Sequence, residues 1–129
     1  MQSKACKISE SEQSNRVAEC RAALGRAVHV VVDRPLGSVH PNHSDIVYGV
    51  NYGFVPDIVG GDGEAQDAYI LGVDAPVAEF YGVVVAVIHR LNDIEDKWVV
   101  APRGCELSDE EIVEKTRFQE RFFETELIG

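Results

Sequence analysis

The chain has 129 residues, 45% of them hydrophobic, which suits one compact core and is too short for two ordinary domains. Its formal net charge of −10 repels nucleic-acid phosphates and anionic membranes unless a basic stripe compensates, and none is visible. No apolar run approaches the roughly 20 residues of a membrane helix, and MQSKACKISESEQSNR has neither a signal-peptide apolar stretch nor a basic presequence, so a cytoplasmic protein is expected.

From Ser9 to Leu24 a polar, alanine-containing stretch sets Val17, Cys20 and Leu24 at helical spacing, and Gly25 supplies a stop. Residues 1–25 therefore read as a helical appendage. Ala27 to Asp33 (AVHVVVD) is a β-branched run of strand length closed by Pro35 and Gly37, and Gly37 to Asp45 (GSVHPNHSD) reads as loop. Tyr48 to Val55 (YGVNYGFV), aromatic and broken by glycine, suits a bent strand at a barrel corner. Gly-Gly and Asp-Gly turn signals fill Ile58 to Gln66, and Asp67 to Val73 resumes as strand.

Gly82 to His89 (GVVVAVIH) is the most apolar strand, and Lys97 to Ala101 (KWVVA) is its expected hairpin partner across RLNDIED. Ser108 with Glu111 fits a capping box; Ile112, Val113, Phe118, Phe122 and Phe123 then form one apolar face, giving an amphipathic helix over 108–127 with its aromatics in the core. Together these elements predict a single α+β domain: an OB-like β-barrel of about five strands over 26–102, with covering helices. Cys6, Cys20 and Cys105 cannot all pair within one chain and make no C-x-x-C motif, so they read as free thiols.

The densest chemical signal is Asp62, Glu64 and Asp67 in GDGEAQD. Read alone, this is an Asp-Gly turn with its acids in water. An EF-hand is excluded, because its sixth position wants glycine where Asp67 stands and AYILGV offers no oxygen ligands. A second acidic turn, Asn92 to Asp96, lies between the strands of the expected hairpin. If both turns open at one barrel mouth, they form an oxygen-rich magnesium or manganese site. His89, Arg90 and Lys97, otherwise simple solvated strand ends, would then supply the anion-binding half of a phosphoryl-transfer site.

At these residues the chain resembles a family. Tyr48 and Asn51-Tyr52-Gly53-Phe54 are similar to the segment Y-P-x-N-Y-G-F/Y of the family I inorganic pyrophosphatases. Asp62 to Asp67 resembles that family's D-G-D-P-x-D, and Glu95-Asp96-Lys97 followed by WVVAP resembles its D-x-K-hydrophobic-A-V-P, in the same order. The resemblance implies metal ligands at Asp62, Asp67, Asp93 and Glu95, with magnesium or manganese as the cofactor. It implies that Glu64 directs and deprotonates the attacking water, that Tyr52 and Lys97 contact phosphate, and that Asp33 stands where the family has an active-site glutamate. Arg90 joins the substrate-binding set.

The chain also departs from the family. Pro35 to Tyr48 is short, without the hairpin whose lysine and arginine grip phosphate; Glu64 and Glu95 replace aspartates; and FFETEL lacks the terminal Tyr-Lys pair. Arg34, Ser38, His40 and His43 in RPLGSVHPNH are the expected substitutes, with Gly37 letting backbone amides approach an anion; as plain structure, the same segment is a Pro/Gly loop with surface histidines. The resulting expectation is metal-dependent hydrolysis of pyrophosphate or a related small phosphoanhydride, by a homo-oligomer with no nucleic-acid or membrane partner. The alternative is a turnover-dead protein of the same fold that binds a phosphorylated ligand or a divalent metal. Nucleic-acid binding by an OB-type barrel fails on charge.

Overall fold

Runs rich in Val, Ile and Tyr supply the strands of the computed structural model, which describes residues 10–129. The elements are α1 (Glu10–Ala23), β1 (Ala27–Arg34), β2 (Val39–His40), β3 (His43–Val47), β4 (Asn51–Val59), β5 (Ala65–Ile70), β6 (Glu79–Arg90), β7 (Lys97–Ala101), α2 (Asp109–Glu120) and β8 (Thr125–Ile128). Strands β1, β4, β5, β7 and β6 pair in that order, and β1 pairs back with β6. The result is a closed five-stranded barrel, antiparallel except for β5 with β7. Closure pairs each of these five strands on both sides over part of its length. No helix among the described residues is long and apolar enough to cross a membrane.

Side chains alternate across the strands and build two cores. The inner core takes Val30, Val55, Ile70, Val84, Val87, Trp98 and Val100 from all five barrel strands, with Cys20 and Ala23 of α1 packed against them. The outer core takes Tyr52, Tyr69, Leu71, Ile88 and Val99, covered by Ile112 and Phe118 of α2. A register shift between Val84 and Ala86 moves the alternation of β6 by one residue. Val84 and Val87 therefore both face inward, while Ala86, Ile88 and Arg90 come out on the face covered by α2. Without that bulge Arg90 would share the inward face of Val84.

Gly53 is where two strands meet too closely for any side chain: a Cβ there would lie 1.9 Å from the Val31 carbonyl oxygen. Its neighbour Asn51, fully buried, accepts from the backbone N–H groups of Leu36 and Val77 and donates to the Ala75 carbonyl. The first residue of the Asn-Tyr-Gly-Phe motif thus ties loops to the barrel, and the second faces the outer core.

Several expectations are corrected. Gly37 to Asp45, read as loop, contains the β2–β3 hairpin, closed around Pro41-Asn42 and forming its own two-stranded sheet. The strand expected from Tyr48 begins at Asn51 as β4, β5 runs earlier than expected, and β6 starts at Glu79. The terminal helix stops at Glu120, and the tail returns as β8, pairing Val87 with Ile128 and Arg90 with Thr125. Only the first half of β6 is covered by β1, so the second half offers unpaired backbone groups that β8 satisfies, which outweighs extending the helix. Phe122, expected in the core, is exposed, and so is Val113 of the expected apolar face. The capping box is present as read: Ser108 accepts from the Glu111 N–H, and Glu111 accepts from the Ser108 N–H. Ser9 and Cys6 lie outside the described residues.

Candidate active site

The two acidic turns meet through a glycine. At Gly61 a Cβ would fall 2.0 Å from the Ile94 carbonyl oxygen, so backbone lies directly on backbone and only glycine permits the approach. This contact brings Asp62 and Glu95 close enough for each carboxyl to shift the ionisation of the other. Two carboxyls so close need a proton or a cation between them. The Glu64 N–H, 3.0 Å from Asp62 Oδ1, holds Asp62 below the usual carboxylate range. Burial and the charge of Asp62 push Glu95 up despite the opposing pull of Lys97.

Lys97 opens β7 on the outer face, and its ammonium donates to Asp67 Oδ2 at 2.5 Å and to Glu95 Oε1 at 2.6 Å. It lies 5.8 Å from the centre of the Tyr52 ring. Burial works against the charged ammonium, but Tyr52, Asp67 and Glu95 outweigh it and hold the lysine's pKa above the ordinary value. Burial raises the Tyr52 phenol, so it stays a neutral donor.

Arg90, at the end of β6, is buried against α2. Its Nε and Nη2 donate to Glu120 at 3.0 and 2.8 Å, its Nη1 donates to Asp93 at 2.9 Å, and Phe123 stacks 3.6 Å from the guanidinium carbon. Glu120 also accepts from the Tyr69 hydroxyl at 2.6 Å. Gln119 donates to Tyr69 and accepts from Tyr48, which in turn accepts from Arg34 at 3.0 Å. A continuous polar chain therefore runs from Arg34 to Asp93 beneath α2.

These groups border one cleft of about 460 Å³, lined by His40, His43 and Asp45 of the hairpin, Tyr52, Arg90, Lys97, Gln119, Phe122 and Phe123. Of the sequence-derived site residues, the structure gathers His40, Tyr52, Arg90 and Lys97 on this cleft, with Asp67 and Glu95 on the lysine and Asp62 on Glu95. Asp93 is turned to Arg90, and Arg34 reaches the cleft only through Tyr48. Glu64 is exposed, with no side-chain hydrogen bond or ion pair among the described residues. Sequence reasoning missed Glu120, Gln119, Tyr69 and Asp96. A signal for Glu120 existed: it stands four and eight residues after the buried Thr116 and Ile112, an acid on the covered side of a helix.

The carboxylates of Asp67 and Glu95 on the Lys97 ammonium, and of Asp62 beside them, are hard oxygen donors of the type a hard divalent cation takes, but the three do not close to within 4.8 Å of one another. A tighter group lies on the inner side, where ligand atoms of Cys20, His89 and Asp96 all fall within 4.8 Å of one another. There Arg16 already donates to Asp96 at 2.5 Å, and Asp96 also accepts from His89 Nδ1–H and the Arg90 N–H. Burial and Asp96 push the Cys20 thiol up to about 12, so it stays protonated. A cation would have to displace Arg16 and a thiol proton, and the cluster instead fastens α1 to the second acidic turn.

No protein-family model matches the chain, and no curated protein matches it. Solved structures do resemble it. An inorganic pyrophosphatase from Neisseria gonorrhoeae is 20% identical with a TM-score of 0.57, over 73% of this chain and 72% of that one. One from Helicobacter pylori gives 18% and 0.59, over 80% and 84%. Another, from Ehrlichia chaffeensis, gives 16% and 0.62, over 80% and 85%. At such identities the likeness bears on architecture: the closed mixed barrel with its two helices is a pyrophosphatase-like fold.

Proposed function

We propose that the cleft takes a small phosphoanhydride, inorganic pyrophosphate first among them, and hydrolyses it by in-line attack of water. The observation that carries this reading is the convergence of two acidic turns, through Gly61, beside a cleft lined by Lys97, Arg90 and Tyr52. Asp62, Asp67 and Glu95 would hold a divalent cation, magnesium or manganese, which when bound neutralises phosphate charge and acidifies a bound water. Asp93 would join them by releasing Arg90. Lys97 and Arg90 place positive charge against the phosphoryl oxygens, Tyr52 donates a hydrogen bond, and Glu64 takes the proton of the attacking water. Phe122 and Phe123 exclude solvent from one wall. The protein is proposed to act as a homo-oligomer, which light scattering across concentrations would test.

A second reading is a binding protein without turnover. It is favoured by the engagement of both Lys97 and Arg90 with carboxylates, and by a hairpin that carries neither lysine nor arginine. Phosphate release from pyrophosphate, tripolyphosphate and nucleotides, with magnesium and with manganese, separates the two. Pyrophosphate turnover that Asp67→Asn abolishes supports the enzyme. Binding of pyrophosphate without release of phosphate under any of these conditions supports the binder. Asp67→Asn with full activity removes the site as drawn.

A further inference from the structure

We propose that the β2–β3 hairpin is the phosphate grip of this cleft, an assignment that rests on the phosphoanhydride reading: His40 donates a hydrogen bond as a neutral imidazole, and His43 takes up a proton as the ligand binds. Binding of the anion is then coupled to pH.

The hairpin places the two histidines opposite each other in register, with ring centroids 4.9 Å apart, and both line the cleft. Further donors are needed there. Lys97 already holds Asp67 and Glu95, and Arg90 directs Nε, Nη1 and Nη2 to Glu120 and Asp93. Neither histidine of the hairpin forms an ion pair among the described residues.

The two rings differ in what holds them. His40 Nδ1 accepts the Asn42 backbone N–H at 3.1 Å, which puts the ring proton on Nε2 and makes that atom a donor without any net charge. Protonating His40 would set two N–H groups against each other. Its ring is also nearly parallel to that of Tyr48, 6.2 Å away, and Tyr48 is held by Arg34 and Gln119. Burial, Arg34 and His43 lower the His40 pKa, which agrees with a neutral role. His43 is exposed, and no such backbone contact blocks its second proton.

The charges near this pair are Asp45 on the hairpin, Arg34 from β1, Arg90 from β6, already paired with Glu120 of α2 and with Asp93, and Lys97 from β7, already paired with Asp67 and Glu95; Tyr48 and Tyr52 are neutral, and α2 presents the uncharged Gln119 to the cleft. A polyanionic ligand brings added negative charge beside His43 and favours its protonated form. The His43 pKa is therefore higher in the complex than in the free protein, and affinity rises as pH falls through that interval, by up to tenfold per pH unit for one proton.

Methylenediphosphonate, which cannot be hydrolysed, is the probe, titrated at fixed magnesium between about pH 5 and 8, the range in which histidine changes charge. Calorimetry in two buffers of different ionisation heat reads proton uptake, and imidazole NMR reads the midpoint of each histidine. Wild type should take up close to one proton in addition to any exchanged by the ligand itself, and the His43 midpoint should rise on binding. His43→Gln should lose that extra uptake, whereas His40→Ala should bind several-fold more weakly at every pH and keep the dependence. The ligand's own ionisation is common to all three proteins and cancels in the comparison, and thermal melts confirm that the variants fold. Equal pH dependence in wild type and His43→Gln, or unweakened binding by His40→Ala, overturns the grip and leaves the phosphoanhydride reading intact. Absence of any binding by wild type, with no hydrolysis of pyrophosphate, removes both.

Discussion

Glu120→Gln isolates the buried ion pair beneath α2. Arg90 and Glu120 are 4% and 6% exposed, and Glu120 accepts three hydrogen bonds, two from Arg90 and one from Tyr69. A glutamine has one acceptor oxygen. If that oxygen serves the Arg90 Nη2 and Tyr69 donors, which share Oε2, the amide NH₂ faces the Arg90 Nε–H and donor meets donor. One hydrogen bond to a charged group is worth about 1.5–3 kcal/mol, and breaking a buried pair costs roughly 3–5. Asp93 remains as a counter-charge, which places the expected loss near the lower end, about 3 kcal/mol. With an unfolding entropy of about 0.27 kcal/mol/K for a chain of this length, the melting temperature should fall by about 11 °C. Urea unfolding followed by fluorescence of Trp98, the single tryptophan, measures it. The double change Arg90→Met with Glu120→Met should cost less than Glu120→Gln alone, since it leaves no buried charge unpaired. A loss below about 1 kcal/mol for Glu120→Gln would show that Asp93 and solvent suffice for Arg90, and that the pair does not hold α2 on the barrel.

Magnesium should stabilise the protein by mass action, about 2.7 kcal/mol at a hundredfold excess over the dissociation constant, read as a melting shift of roughly 10 °C. No shift at millimolar magnesium or manganese would remove the cation site. Gly61→Ala should wedge the acidic turns apart, because its Cβ would sit 2.0 Å from the Ile94 carbonyl oxygen. A stability loss of about 1–3 kcal/mol is expected from that overpacking, together with a smaller magnesium-induced shift; unchanged magnesium response would show that the contact does not align the carboxylates. Cys20, with its thiol pushed up to about 12 from 9.0, should resist alkylation at pH 8 in the native protein and react once unfolded. Because its folded pKa is raised, the stability it contributes is complete below about pH 9 and declines as pH rises toward 12, which denaturation at stepped alkaline pH would register.

Local chemistry carried much of the architecture into the sequence. Alternation and β-branching placed β1, β6 and β7, since those runs form strands whatever surrounds them. The Ser108–Glu111 capping box likewise starts α2, as a reciprocal contact within one turn. The acids of the two turns stood in plain view, as did the lysine that follows the second. What the linear order did not contain was the end of α2: helical periodicity continues through Phe122 and Phe123, and only the unpaired half of β6 draws the tail into β8. The same holds for the β2–β3 hairpin, too short to show a strand period, and for the buried roles of Glu120 and Asp96. Each of those carboxylates is held by a partner from a distant segment, Tyr69 and Arg90 for one and Arg16 of α1 for the other. Strand preference is a property of neighbours along the chain, whereas the bulge at Val84, the partners of a buried acid and the meeting of Gly61 with Ile94 arise only when the barrel closes.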